Sequence, residues 1–181
     1  MQFGRLDMKE SILGSFQKLE RSKEQILTFL NVQDVNDLER SKEGQWSMIQ
    51  AIRHVQISED SIVAYLQKKI QAGDKLPERN LKDQVRLRIL FLAIFMRIKF
   101  KAPATLADPR ISTLDELKKD WKVTRDKMKD FIDKYPDKLK KKAVFRHPAG
   151  MRLDILDTLH FLNVHLSHHI HQVGRIKRSL S

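Results

Sequence analysis

The chain contains no cysteine. That excludes disulfides, thiolate metal ligands and a nucleophilic thiol of its own, so any metal would have to be held by histidine and carboxylate. Glycine and proline are scarce, six and five among 181 residues. Long alternation of apolar and polar residues is missing as well, which speaks for a folded helical protein over sheet or disordered architectures. Apolar runs are short: the longest, Ile89 to Met96, falls well below the ~20 residues that span a bilayer. The opening residues, Met1 to Asp7, carry no apolar signal segment. These absences lead to the expectation of a soluble cytoplasmic protein with no membrane partner. A length of 181 residues without a composition break suits one domain, residues 1–181, with a substantial core.

Acidic residues are also in deficit, 23 against 35 Lys and Arg, for a net charge of +12. Such a field draws polyanions, acidic surfaces or anionic small molecules without choosing among them. The densest basic run, Lys138-Leu-Lys-Lys-Lys142, has none of the aromatic interleaving of a single-strand-binding face and reads as solvated surface. A nucleic-acid partner is therefore an alternative that is not favoured, and no helix-turn-helix or zinc-finger pattern supports it.

What is present is helical periodicity. Leu6, Ile12, Leu13, Phe16, Leu19, Ile26, Leu27 and Leu30 recur as on one helix over 6–31. Residues 34–44 are polar and read as a loop. Ser47 is a good N-cap for a second helix that runs through Ile70 until Gly73 stops it, with Met48, Ile52, Val55, Ile62 and Leu66 as its apolar face. A third helix, about 80–101, is apolar nearly all round, which suits either a central element or one shared with a second subunit. Pro103 and Pro109 frame an irregular connection. Ser112 or Thr113 opens a fourth helix that Tyr135-Pro136 ends, His147-Pro-Ala-Gly150 is a turn, and a last helix covers about 152–179. The fold class is all-α, a four-helix bundle with an additional helix.

Residues 161–172 of the last helix carry four of the seven histidines. At about 100° per residue, Phe161, His165, His169, Gln172 and Ile176 form one stripe, which puts imidazoles where core-facing side chains belong. His160, His168 and His171 turn progressively away. Buried neutral rings need partners for their nitrogens, and a divalent ion is one that serves both. A hydrogen-bonded core pair is the other reading, and spacing does not choose between them. A catalytic centre would need a third ligand from another helix, with a position left open for water. His54 is the best candidate, since it lies mid-helix at the edge of a buried face, beside a polar row of Ser47, Gln50, Ser58, Ser61 and Tyr65. His147 reads as a turn residue.

Trp46-Ser47 with His54 and Glu59, then His147-Pro-Ala-Gly150, then His165-x-x-His168-His169-x-x-Gln172-Val-x-Arg175-Ile, resemble the DinB-like (YfiT-like) superfamily, and the likeness spans nearly the whole chain. Lys101-Ala-Pro103, Pro109 and the segment from Leu114 to Met128 continue it between these blocks. The resemblance implies a four-helix bundle, often dimeric, with a divalent ion on three histidines, here His54, His165 and His169. Glu59 matches a recurrent acidic residue of the family, but at about 140° around the helix from His54 it would act through another group at best.

Family members with assigned functions resemble thiol-dependent transferases and isomerases that use a low-molecular-weight thiol, and others are grouped as metal-dependent hydrolases. The expectation is therefore a metal-dependent enzyme with a small-molecule substrate, using zinc or nickel and either water or a thiol cofactor, as a homodimer. Gln172, Tyr65 and Glu59 are the expected supporting residues around the cofactor. Two further readings stand beside it: a basic binding module, and a purely structural metal site tying the second and last helices together.

Overall fold

A computed structural model describes residues 8–96, 109 and 112–180 of the chain. Among these residues it has six α-helices and one two-stranded hairpin. The helices are α1 (Met8–Asn31), α2 (Val35–Glu39), α3 (Met48–Lys69), α4 (Leu81–Phe95), α5 (Leu114–Asp133) and α6 (Ile155–Leu180), with strands β1 (Phe145–Arg146) and β2 (Arg152–Leu153) before α6. The expectations that fell on residues 6–7, 97–101 and Pro103 lie outside the described residues.

The four long helices α1, α3, α5 and α6 form the bundle: α6 packs on α1 and α3, and α5 packs on α3 and α1, so the ring closes. The all-α bundle read from periodicity is the fold. Leu19, Leu30, Met48, Ile52 and Leu66 of the predicted stripes are essentially fully buried in its core, together with Leu117, Trp121 and Leu166 of the later helices.

Local chemistry sets the helix ends. Ser47 and Gln50 form a reciprocal capping box at the start of α3, and Thr113 with Glu116 does the same for α5. Asp154 caps α6 by accepting from the Asp157 amide at 2.7 Å. Beyond α3 the chain continues as a 3-10 segment, Ile70–Lys75, until Gly73 turns it at φ 52°. A left-handed φ of this kind costs glycine least, so the stop falls where it was expected.

Three expectations need correction. The polar segment 34–44 is not all loop, since Asp34 caps the five-residue α2, whose Leu38 is buried. The last helix starts at Ile155, not near 152, because Arg152 and Leu153 pair antiparallel with Arg146 and Phe145. Thirdly, of the two readings of the apolar helix, central or shared with a second subunit, the described part, α4, rules out the central one. It packs outside the bundle on α6, with only Asp83 and Leu87 buried. Leu81, Val85, Ile89, Leu92, Phe95 and Met96 are exposed along it.

α3 is held on α5 by a buried polar seam. Arg125 donates through Nε and Nη2 to both carboxylate oxygens of Glu59, at 2.8 and 2.9 Å, and through Nη1 to Glu20 of α1 at 2.9 Å. Trp121 Nε1 donates to Glu59 at 2.6 Å, Gln56 donates to Thr124, and Arg53 pairs with Asp120 at 2.7 Å. Such pairing is what makes charge tolerable in a core. It also orients α3, which presents Glu59 to α5 and, about 140° away, His54 to α6.

Candidate metal centre

His54 lies in the second turn of α3, behind the Ser47 capping box, and His165 and His169 lie one turn apart on α6. The α3–α6 contact brings the three together: one ring nitrogen of each lies within 4.8 Å of the others. The ring centroids are 5.3 Å apart for His54 and His165, 4.9 Å for His54 and His169, and 4.7 Å for His165 and His169. His54 and His169 are only 5% and 6% exposed. His165 is partly buried.

A hydrogen bond orients the ring of His169. Nδ1 of His169 lies 2.8 Å from Oε1 of Gln172. An amide oxygen can only accept, so the ring proton sits on Nδ1 and Nε2 is left as a lone pair. That Nε2 lies 3.2 Å from Nε2 of His165. Two nitrogens at about 2.05 Å from one tetrahedral zinc would stand about 3.3 Å apart, so the pair has the spacing of one edge of such a polyhedron. Nδ1 of His165 is buried and has no hydrogen-bond partner among the described residues.

The two rings on α6 are held neutral. Burial, reinforced by His54 and His168, lowers the pKa of His169 to about 3 against a partial opposing effect of Gln172. Burial, with His169 and His54 adding to it, lowers His165 well below the usual imidazole value. Neutral imidazoles are the form that donates a lone pair to a cation, so the donor set fits a divalent ion. No fourth His, Asp or Glu joins the group among the described residues.

Aromatic walls close the site. Trp46 lies 4.8 Å from the His54 ring and 6.2 Å from that of His169, and Phe161 stacks on His165 at 5.6 Å. Trp46, His147 and His168 were not read as site residues. Trp46 stands just before the α3 N-cap, a position from which a large side chain folds back over the first turns, and that placement was the available signal. His147, expected to be a plain turn residue, lies 4.7 Å from Phe161 because the β1–β2 hairpin carries it there. Burial lowers its pKa to about 4, and its Nδ1 accepts from the Ala149 amide at 3.1 Å. His168, read as a flank, has its ring 5.2 Å from that of His169.

The other expected residues separate. Gln172 is in contact with His169. Glu59 is engaged by Arg125 and Trp121 on the opposite side of α3. Tyr65 is three turns further along α3, with its ring against Phe145 at 5.5 Å. In the basic run, Lys138 pairs with Asp74, Lys140 with Asp137 and Lys142 with Glu78. Much of its charge is thus matched by carboxylates. No described helix is long and apolar enough to cross a membrane.

No curated protein and no solved structure matches the chain. One family does, over residues 18–173, a span that contains the capping box of α3, the hairpin and all three clustered histidines. With most of its length matched and a buried group of three imidazoles able to hold a metal ion, the chain belongs to the DinB superfamily.

Proposed function

We propose that this protein is a metal-dependent enzyme acting on a small molecule, with His54, His165 and His169 as the ligands of one divalent ion, zinc or nickel. The observation that carries the reading is three mostly buried imidazole nitrogens converging from two helices within 4.8 Å, with no fourth protein ligand among the described residues. An open coordination position is what distinguishes a catalytic centre from a structural one. When bound, the ion would supply a Lewis acid able to lower the pKa of a water or to hold the thiolate of a low-molecular-weight thiol.

The chain's own groups prepare that centre. Gln172 fixes the tautomer and ring plane of His169, the role that orienting residues commonly play beside metal ligands. Trp46 and Phe161 cover the rings, which excludes bulk water and strengthens electrostatic interactions inside. The burial that keeps His169 neutral also keeps it ready to bind at any pH well above 3.

The test is metal content of protein prepared without chelators, followed by titration of the stripped protein with zinc and with nickel. Stoichiometric binding is expected, abolished by His54→Ala and weakened about 10- to 100-fold by Gln172→Leu. Substoichiometric metal together with failure to take up either ion would overturn the reading. Turnover of electrophilic esters with and without an added thiol then separates the hydrolase from the thiol-transferase form.

A further inference from the structure

The groove between the C-terminal half of α3 and the β1–β2 hairpin encloses about 340 Å³ and is lined by apolar side chains, among them Val144 and Phe145. Lys69 from α3, Arg146 from β1 and Arg152 from β2 also line it. None of these three cations has an ion-pair partner among the described residues. Elsewhere in the molecule Arg53, Arg79, Arg125, Lys138 and Lys142 meet carboxylates.

Two of the three are forced together. Arg146 and Arg152 are direct cross-strand partners, and both are exposed. Partners on a ladder project from the same face with Cβ atoms about 5 Å apart, and like charges placed so are destabilising. The hairpin nevertheless holds them there, its floor secured by buried Phe145 and Leu153 and its turn by the Gly150 amide donating to the His147 carbonyl at 2.8 Å. Tyr65 adds a hydroxyl to the same groove.

The groove and the histidine centre lie on the same face of α3. Tyr65 lies about 20° around α3 from His54 and about 16 Å along it, so the two share a face. Ring contacts run from Tyr65 to Phe145, to His147 at 6.4 Å, to Phe161 and to His165. We propose that Lys69, Arg146, Arg152 and Tyr65 bind an oxyanion group, phosphate or carboxylate, of the small molecule on which the histidine centre acts. The link to a reaction rests on the proposed function, while the binding itself does not. A planar guanidinium pair suits either oxyanion, since each takes charge-assisted, bidentate hydrogen bonds. The groove has the volume of a small-ligand site, and the aromatic floor fits an apolar portion of the same molecule.

The experiment is calorimetric titration of the whole protein with inorganic phosphate, pyrophosphate and succinate at constant ionic strength. Saturable binding of at least one is expected, and the phosphate and succinate arms say which oxyanion is preferred. Arg152→Gln should weaken it about ten-fold, whereas Lys122→Gln, which removes the same charge from α5, should leave it unchanged. In the absence of oxyanion, Arg152→Gln should melt no lower than the wild type, since it relieves a like-charge pair; that shows that the variant is folded. Absence of saturable binding, or equal binding by the Arg152→Gln protein, overturns the inference. So does competition by a single-stranded oligonucleotide with a steep salt dependence, which would assign the groove to nucleic acid. Oxyanion binding by a protein that fails to take up metal would leave the groove assigned and remove the histidine reading; the converse result would do the opposite.

Discussion

Arg125 is 2% exposed and Glu59 fully buried, and the guanidinium meets both oxygens of that carboxylate. Replacing Arg125 with Met keeps much of the side-chain volume but leaves Glu59 charged in the core with Trp121 as its remaining partner. Breaking a buried pair from one side costs about 3–5 kcal/mol. Against a typical total of roughly 5–15 kcal/mol, Arg125→Met should therefore come close to unfolding the protein. Glu20, the other carboxylate on Arg125, is one-third exposed, so it rehydrates and adds little to that loss. Removing both charges, Glu59→Met with Arg125→Met, takes away the stranded carboxylate and restores apolar packing, leaving chiefly the unpaired Trp121 Nε1–H at about 1–3 kcal/mol. The double variant should thus be clearly more stable than Arg125→Met alone. Urea unfolding followed by far-ultraviolet circular dichroism measures all three proteins. A loss below about 1 kcal/mol for the single variant, or a double variant no more stable than the single, would refute the argument that this seam is held by charge compensation.

Two further outcomes follow from other parts of the chain. Burial, with Asp154 adding to it and Arg79 opposing it, raises the Asp157 carboxyl from 3.8 to about 6. Its folded pKa lies above the unfolded one, so its contribution to stability is complete below 3.8 and lost as pH rises through 6. Asp157→Asn should gain on the order of 1–2 kcal/mol above pH 6 and little near pH 4, measured by unfolding at both; equal effects at the two pH values would count against the shift. The exposed apolar side chains of α4 would be covered if two copies paired two-fold through them. Light scattering should then report a dimer that Leu92→Asp splits; a monomeric wild-type mass would exclude it.

The parts legible in the sequence are those that local chemistry determines. Ser47, Thr113 and Gly73 mark helix ends through groups within a few residues of themselves, so the ends were readable to within a residue or two. His165, His169 and Gln172 share a stripe by helix geometry alone, and their contact in the structure needs no other element. The unreadable parts are non-local. Glu59 and Arg125 are 66 residues apart in the chain, and nothing near either one announces the other. The β1–β2 strands are two residues long, too short for alternation to register, though the turn between them was plain from Pro148 and Gly150. That hairpin moves His147 against Phe161, and so a residue read as a turn becomes part of the wall near the histidine centre. An apolar run such as Ile89 to Met96 looks the same in a core and on an outer helix, because periodicity describes a helix and not its neighbours.

The electrostatics of the two regions point the same way. A donor set of three neutral imidazoles would bring no negative charge to a bound divalent ion, unlike a set containing carboxylate, so the full double charge would remain to act on whatever binds next. The groove along the same face of α3 adds three cations with no carboxylate partner among the described residues. Over both lies a net charge of +12. A neutral or cationic substrate would gain nothing from this arrangement and would be opposed by it, whereas an anion is attracted at long range, held at one end by guanidinium groups, and polarised at the other. The basic loop at Lys138 to Lys142 is largely matched by Asp74, Asp137 and Glu78, so the densest basic run of the sequence is not the place where the charge excess is concentrated. The cationic groups left without carboxylates include the three that line the groove on the face of α3 that also bears His54.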